Sequence, residues 1–302
     1  MKTKERNWEE WLGQVDFFVR LTVDDEDKAR IISNEMKKYI TLRFEKNKYV
    51  HPASTGFSTQ IYRELYRLIG KEDPYRGLKI LSNNEAAKII KNLNPKDFRE
   101  RLLISILGNI IDYGTCLEGA YDINNLRRDL EDIKNESFVV DYSEFLKKRI
   151  HEARNVFYLV DNSGEVVFDV FMLNYILRYI SKENLYIVGK SSPMLNDMTA
   201  DELKELGFEK FGNIISTGSN CFGLHEEEVS KEFKKLFAKA DLVIAKGQAY
   251  LEFFTEYNFP NVVNVLRVKW PIKFNGFDFS PGDNVVISST RYKETGKEYN
   301  WD

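Results

Sequence analysis

Cysteine, histidine and proline are scarce in this chain of 302 residues, and the scarcity removes whole classes of protein. The two cysteines, Cys116 and Cys221, stand apart and not in a Cys-x-x-Cys pair. That excludes a zinc ribbon and a disulfide framework. Both read as core residues. The three histidines, His51, His151 and His225, are too scattered to mark a site and read as surface or structural residues. No apolar run approaches the ~20 residues that span a bilayer. "MKTKERNWEEWLG" at the N-terminus has no apolar signal core. The expectation is a cytoplasmic protein with no membrane partner. A formal net charge of −3 lacks the basic excess of a general nucleic-acid binder, so no nucleic-acid partner is expected. Several motifs are also missing. No GxGxxG follows a strand, and there is no GxxxxGK[ST], no GxSxG elbow and no HExxH.

What is present is a chain that is 43% hydrophobic, enough to bury a core. Its first half reads helical. "NWEEWLGQVDFFVRLT" and "DEDKARIISNEMKKYITLRFEK" carry apolar residues at helical spacing, the second with an acidic start and a basic end. "STGFSTQIYRELYRLIG" closes on Gly70, a candidate C-terminal cap. "DFRERLLISILGNIIDYG" is an apolar helix interrupted by Gly108, and "INNLRRDLEDIKN" a polar surface helix. Near residue 155 the texture changes. "NVFYLV", "NLYIVGK", "GNIIST" and "DLVIAKG" read as strands. They alternate with the helices "VVFDVFMLNYILRYI", "TADELKELG", "HEEEVSKEFKKLFAKA" and "QAYLEFFTEY", with Thr199 the expected N-cap of the second. "NVVNVLRV" and "NVVISST" close the series. Fully apolar strands alternating with helices indicate an α/β domain with a mainly parallel sheet covered on both faces. In that architecture ligands bind beyond the carboxyl ends of the strands.

Polar residues follow four successive strands: Asp161-Asn162-Ser163-Gly164-Glu165, then Gly189-Lys190 with Asn196-Asp197, then Ser216-Thr217-Gly218, then Lys246-Gly247-Gln248. Two carboxylates and an amide oxygen suit a hard divalent cation. Lys246 is a point charge suited to phosphate. The amides of Ser163, Gly164 and Glu165 open a helix, a ready anion site. Each feature has a plainer reading. Asp161, Asn162 and Asp197 could cap helices. Lys246 could be an exposed loop lysine, Glu165 and Asp169 solvated helix-face charges, and "STGSN" a simple turn. Their joint position at four strand ends favours a site.

"DNSGEVVFD", "GKSSPMLNDMTAD" and "AKGQAYLE", in this order, resemble the metal-dependent damage-control phosphatase family, long called domain of unknown function 89. "GNIIDYG" at 108–114 resembles that family's helical-domain motif. The resemblance implies a helical subdomain over 1–150 packed on a Rossmann-like α/β/α subdomain over 151–302. It implies a divalent metal (Mn²⁺, Ni²⁺, Co²⁺ or Mg²⁺) and hydrolysis of phosphate esters of small metabolites such as sugar phosphates. Carried over, the metal ligands fall on Asp161, Asn162 and Asp197, which also carry the catalysis. The phosphate-binding lysine falls on Lys246, and Asn109 and Asp112 match residues that face the cleft. Ser163, Gly164, Ser216 and Thr217 join the expected phosphate and substrate contacts. Many stand-alone microbial relatives carry an N-terminal CxxC pair that this chain lacks. Two rivals stand beside this reading: an S-adenosylmethionine-dependent carboxyl methyltransferase, and a non-enzymatic metabolite-binding protein. "DNSGE" has one glycine where a methyltransferase needs a glycine-rich loop. The sequence sets no oligomeric state.

Overall fold

The computed structural model describes residues 8–45, 54–108, 135–259, 261–274, 276–288 and 297–298. Helices α1 (Trp8–Thr22), α2 (Glu26–Glu45) and α3 (Ser54–Ile69) pack through Val15, Phe18, Val19, Met36, Ile40, Ile61 and Leu65. α3 ends at Gly70, whose φ of +74° suits a residue without a Cβ and whose N–H donates to the Tyr66 carbonyl at 2.9 Å. Helix α4 (Arg76–Ile90) was not anticipated. Its buried residues are Lys79, Ser82, Ala86 and Ile89, while Ile80 and Leu81 are exposed, so its apolar pattern does not follow its buried face. α5 (Phe98–Leu107) starts at Asp97, whose carboxylate accepts the Glu100 N–H at 2.9 Å. The end of the motif that carries Asn109 and Asp112, Cys116 and all but the last residue of the polar helix "INNLRRDLEDIKN" lie outside the described residues. No helix among the described residues is long and apolar enough to cross a membrane.

The second half alternates as the sequence suggests. In chain order come β1 (Phe138–Asp141), α6 (Ser143–Glu152), β2 (Val156–Leu159), α7 (Glu165–Phe168), α8 (Val170–Ile176) and β3 (Leu185–Gly189). Then follow α9 (Ala200–Glu205), β4 (Asn213–Ser216), α10 (Lys231–Phe237), β5 (Leu242–Lys246) and α11 (Gln248–Glu256). β6 (Tyr257–Asn258), β7 (Val262–Arg267), the antiparallel hairpin β8 (Ile272–Phe274) and β9 (Phe277–Phe279), β10 (Asn284–Ser288) and β11 (Lys297–Glu298) complete the series. The seven-stranded sheet has the order β1-β10-β7-β5-β2-β3-β4. β7, β5, β2, β3 and β4 run parallel. β10 pairs antiparallel with β7, because the β8–β9 hairpin returns the chain to the neighbouring position. β1 joins parallel to β10 at the edge. Residues 138–141, assigned by the sequence to the helical half, thus belong to the sheet.

The central strands β2, β5 and β10 bury both faces while the edge strands β1 and β4 stay partly exposed, and alternate residues serve different cores. Val156 and Tyr158 of β2 pack with α5, α7 and α8, while Phe157 and Leu159 face Phe233, Phe237 and Phe253 of α10 and α11. From β2 the chain moves one way to β3 and β4, and later the other way to β5 and β7. The order therefore reverses between β2 and β5, which marks the crevice where open α/β sheets bind ligands.

Two helices differ from their expected spans. "VVFDVFMLNYILRYI" divides at Asp169, where tight bonds from Val167 N to Gly164 O and from Asp169 N to Val166 O interrupt α-helical pairing. The helix expected from His225 begins at Lys231, because the Ser230 hydroxyl caps it by accepting the Phe233 N–H at 3.1 Å. Residues 225–229 instead form a turn on the His225 carbonyl.

Candidate active site

Asp161 and Asn162 leave the end of β2, and Asp197 lies on the long loop after β3. The backbone ties these loops together. Met198 N–H donates to the Asp161 carbonyl at 3.0 Å and Ser163 N–H to the Asn196 carbonyl at 2.8 Å. Asn162 and Asp197 form an antiparallel bridge. Neither carboxylate caps a helix. Gly164, at the N-cap of α7, receives no side-chain cap. Thr199 caps α9 in a full capping box with Glu202, as the sequence predicted. Gly247, at φ +86°, follows β5 directly beneath Asp161. A Cβ there would collide with the Asp161 carboxylate, so that glycine is required both by its backbone and by the close approach.

Both carboxylates are buried. Burial raises the Asp161 pKa well above the carboxylate range, and the charges of Glu165 and Asp197 push it further. Burial also raises Asp197, partly offset by Lys190, whose Nζ lies 3.3 Å from Asp197 Oδ2. Asn162 Nδ2 donates to Asp161 Oδ2 at 2.8 Å. Ser163 Oγ is buried with no hydrogen-bond partner among the described residues. Two carboxylates, an amide and an orphan hydroxyl are hard oxygen donors of the kind that hold Mg²⁺ or Mn²⁺. Among the described residues no three His, Cys, Asp or Glu side chains converge to hold a metal. A cation here would rest on Asp161, Asp197 and the Asn162 amide, with other positions left to water or substrate.

Behind this pocket lies a second charged group. Lys246 is wholly buried and donates to Glu165 Oε1 at 2.6 Å, Asp169 Oδ1 at 2.8 Å and the Ser105 carbonyl at 3.1 Å. An ammonium has three protons, so all are used and none is directed at a phosphate. Burial lowers the Lys246 pKa, but Asp169 and Glu165 outweigh it and hold the ammonium above its ordinary value. Burial raises Glu165, with Lys246 offsetting part of the rise. Tyr158 and Ser105 donate to Asp169 Oδ1 at 2.7 and 2.8 Å. Glu165 and Asp169 are thus not solvated helix-face charges, because α7 and α8 turn them inward under α5.

The remaining expected contacts are distributed differently. The amides of Ser163 and Gly164 are taken, the first by Asn196 and the second by Asn83 Oδ1 at 2.7 Å, so neither serves as an open anion site. The Ser216 hydroxyl accepts the Gly218 N–H at 3.0 Å, and Thr217 Oγ1 donates to the Ser219 carbonyl at 2.8 Å, so both shape their own turn. Asn109 and Asp112 lie outside the described residues.

Three nearby groups carry no role in the sequence reading, although Lys190 stands among its strand-end residues. Lys190 bonds the Cys221 carbonyl besides meeting Asp197. Lys269 exerts its charge on Asp161, Glu165 and Asp197, and Gln248 of α11 holds its backbone N–H at 2.9 Å. Tyr250 is buried, and burial together with Asp197 and Asp161 raises its hydroxyl pKa. The polar residue at the end of "VGK" signalled Lys190. Nothing local signalled the other two.

This geometry can be set beside known proteins. The sequence pattern described as "Damage-control phosphatase ARMT1-like domain" matches residues 3–273. The chain belongs to the damage-control phosphatase ARMT1-like family. Among its relatives in that family, a damage-control phosphatase of Pyrococcus horikoshii is 36% identical over 265 residues, covering 86% of this chain and 88% of the relative. A protein of Archaeoglobus fulgidus, also named damage-control phosphatase, is 28% identical over 283 residues, covering 91% and 95%. An uncharacterised protein of Methanocaldococcus jannaschii is 30% identical, covering 90% of each chain. The crystal structure of a DUF89 family protein from Pyrococcus horikoshii superimposes with a TM-score of 0.81 at 28% identity, over 96% of this chain and all of that one. The family is the one that "DNSGEVVFD", "GKSSPMLNDMTAD" and "AKGQAYLE" suggested, and the architecture is its mixed α/β fold.

Proposed function

We propose that this protein is a metal-dependent phosphatase that hydrolyses phosphate esters of small metabolites, sugar phosphates among them, in metabolite damage control. The observation that carries the reading is the buried pair Asp161 and Asp197. The two sit on loops tied to each other at the strand-order reversal, with the Asn162 amide between them and their charged forms disfavoured by burial. The names of the Pyrococcus horikoshii and Archaeoglobus fulgidus relatives support the phosphatase part.

Asp161, Asn162 and Asp197 would hold the cation. Mn²⁺, Co²⁺, Ni²⁺ or Mg²⁺ bound there would neutralise charge on the phosphate and lower the pKa of a bound water. The Ser163 hydroxyl is available to a phosphate oxygen or to that water. Lys190 and Lys269 supply the positive field that a dianionic ester requires. Lys246 acts from behind, holding Glu165 and Asp169 in place. Asn109 and Asp112 would face the sugar from the helical side.

The test is inorganic phosphate release from a panel of sugar phosphates and p-nitrophenyl phosphate, with each metal in turn, beside calorimetry with S-adenosylmethionine. Release that depends on added metal supports the reading. S-adenosylmethionine binding without any phosphate release would replace it with the methyltransferase alternative, and neither response would leave a binding protein.

A further inference from the structure

The two ligand loops are each gripped from the helical side at one residue, and that residue has a left-handed backbone. In the first loop Gly164, at φ +81°, donates its N–H to Asn83 Oδ1 of α4 at 2.7 Å. In the second Leu195, at φ +49°, donates its N–H to the Tyr66 hydroxyl of α3 at 2.7 Å. A leucine in that region is strained and persists only where its surroundings hold it. Leu195 stands two residues before Asp197, and Gly164 two after Asn162. Between the grips the loops meet each other through the Ser163–Asn196 and Met198–Asp161 bonds. Beyond them, Lys79 of α4 is buried and meets Glu202 at 3.2 Å, the same glutamate whose Oε2 accepts the Thr199 N–H at 2.9 Å.

We propose that Asn83 and Tyr66 are positioning residues that set the spacing between Asp161–Asn162 and Asp197, so that the helical half tunes the cation site without touching the cation. The inference rests on the metal reading above. Groups that orient metal ligands from outside the coordination shell commonly change affinity by about 10–100-fold when removed. Displacing one loop moves the other, because the two share backbone bonds.

The test compares Tyr66→Phe and Asn83→Leu, which delete the acceptors at similar volume, with Asn83→Asp, which restores an acceptor oxygen. Two readouts are taken: Mn²⁺ affinity by electron paramagnetic resonance, and amide hydrogen exchange over residues 160–165 and 193–198 without metal. Tyr66→Phe and Asn83→Leu are expected to weaken Mn²⁺ binding by about tenfold. Each should also speed exchange in both loops, including the loop it does not contact, and Asn83→Asp should recover most of both effects. Unchanged Mn²⁺ affinity in both deletions, or faster exchange confined to the contacted loop, would overturn the proposal. If the unaltered protein binds no Mn²⁺, the metal reading fails instead, and the exchange data alone decide whether Asn83 and Tyr66 set the loops. Tyr66→Phe keeps the ring packed against Phe18, so one variant retains the fold if Asn83→Leu does not.

Discussion

Asp161 and Asp197 are buried but each keeps 8% exposure, whereas Glu165 and Asp169 are fully enclosed, and the two pairs are answered differently. Glu165 and Asp169 share one buried ammonium, Lys246, at 2.6 and 2.8 Å, and Asp169 gains two hydroxyl donors besides. In the other pair, Asp197 meets Lys190 at a longer 3.3 Å, and Asp161 is crowded by the charges of Glu165 and Asp197. One ammonium answers the first pair from within, although Glu165 Oε2 and Asp169 Oδ2 have no hydrogen-bond partner among the described residues. The second is held by backbone bonds between loops, with its charged form disfavoured. A cation from outside would answer the second pair as Lys246 answers the first. That contrast is the ground on which the second pair, and not the first, is proposed as the functional one.

Breaking the internal pairing should have the largest effect on stability. Lys246→Met leaves two buried carboxylates without their ammonium and is expected to cost about 3–5 kcal/mol, read as the loss in urea unfolding. Its pH dependence has a definite sign. Burial already raises the folded pKa of Glu165 and Lys246 offsets part of that rise, so without Lys246 the rise is larger and the folded state holds that proton more tightly. The variant's stability should therefore be fullest below about pH 4 and fall as pH rises through the raised value, more steeply than in the unaltered protein. A parallel pH profile for the two proteins would refute the pairing.

Asp169→Asn is gentler. It keeps an acceptor for Tyr158 and Ser105 but removes the charge facing Lys246, and about 1.5–3 kcal/mol should be lost. A cap gives the scale of an ordinary local contact: Thr199→Ala should lose about 1 kcal/mol by the same unfolding measurement. Asp161→Asn should have the smallest effect. In metal-free protein its melting temperature is expected to match or exceed that of the unaltered chain, because one repelling charge is gone and Asn162 keeps an acceptor. A fall as large as that of Asp169→Asn would mean that Asp161 is also a structural carboxylate.

The carboxylate loops were legible because an apolar strand ending in Asp-Asn and another followed by Asn-Asp are local patterns. The capping box at Thr199 and the left-handed Gly70 were legible for the same reason. Helix α4 was not, because its buried face includes Lys79 and Ser82 while Ile80 and Leu81 face outward, which defeats hydrophobic periodicity. The environment of Lys246 was hidden in another way. A lysine before a glycine at a strand end reads as an exposed loop residue. Only the packing of α5 across β5, which brings in the Ser105 carbonyl, buries it. Strand direction is equally silent in sequence, so nothing in "NVVISST" marks β10 as the antiparallel neighbour of β7.

The central claim is that Asp161 and Asp197 are a cation site serving phosphate-ester hydrolysis. Its most direct measurement is phosphate release after treatment with EDTA, before and after Mn²⁺ is returned, in the unaltered protein and in Asp161→Asn. The account expects release to stop with EDTA and to return with Mn²⁺ in the unaltered protein alone. Full release in the presence of EDTA, or Mn²⁺-restored release by Asp161→Asn at the unaltered rate, would contradict it.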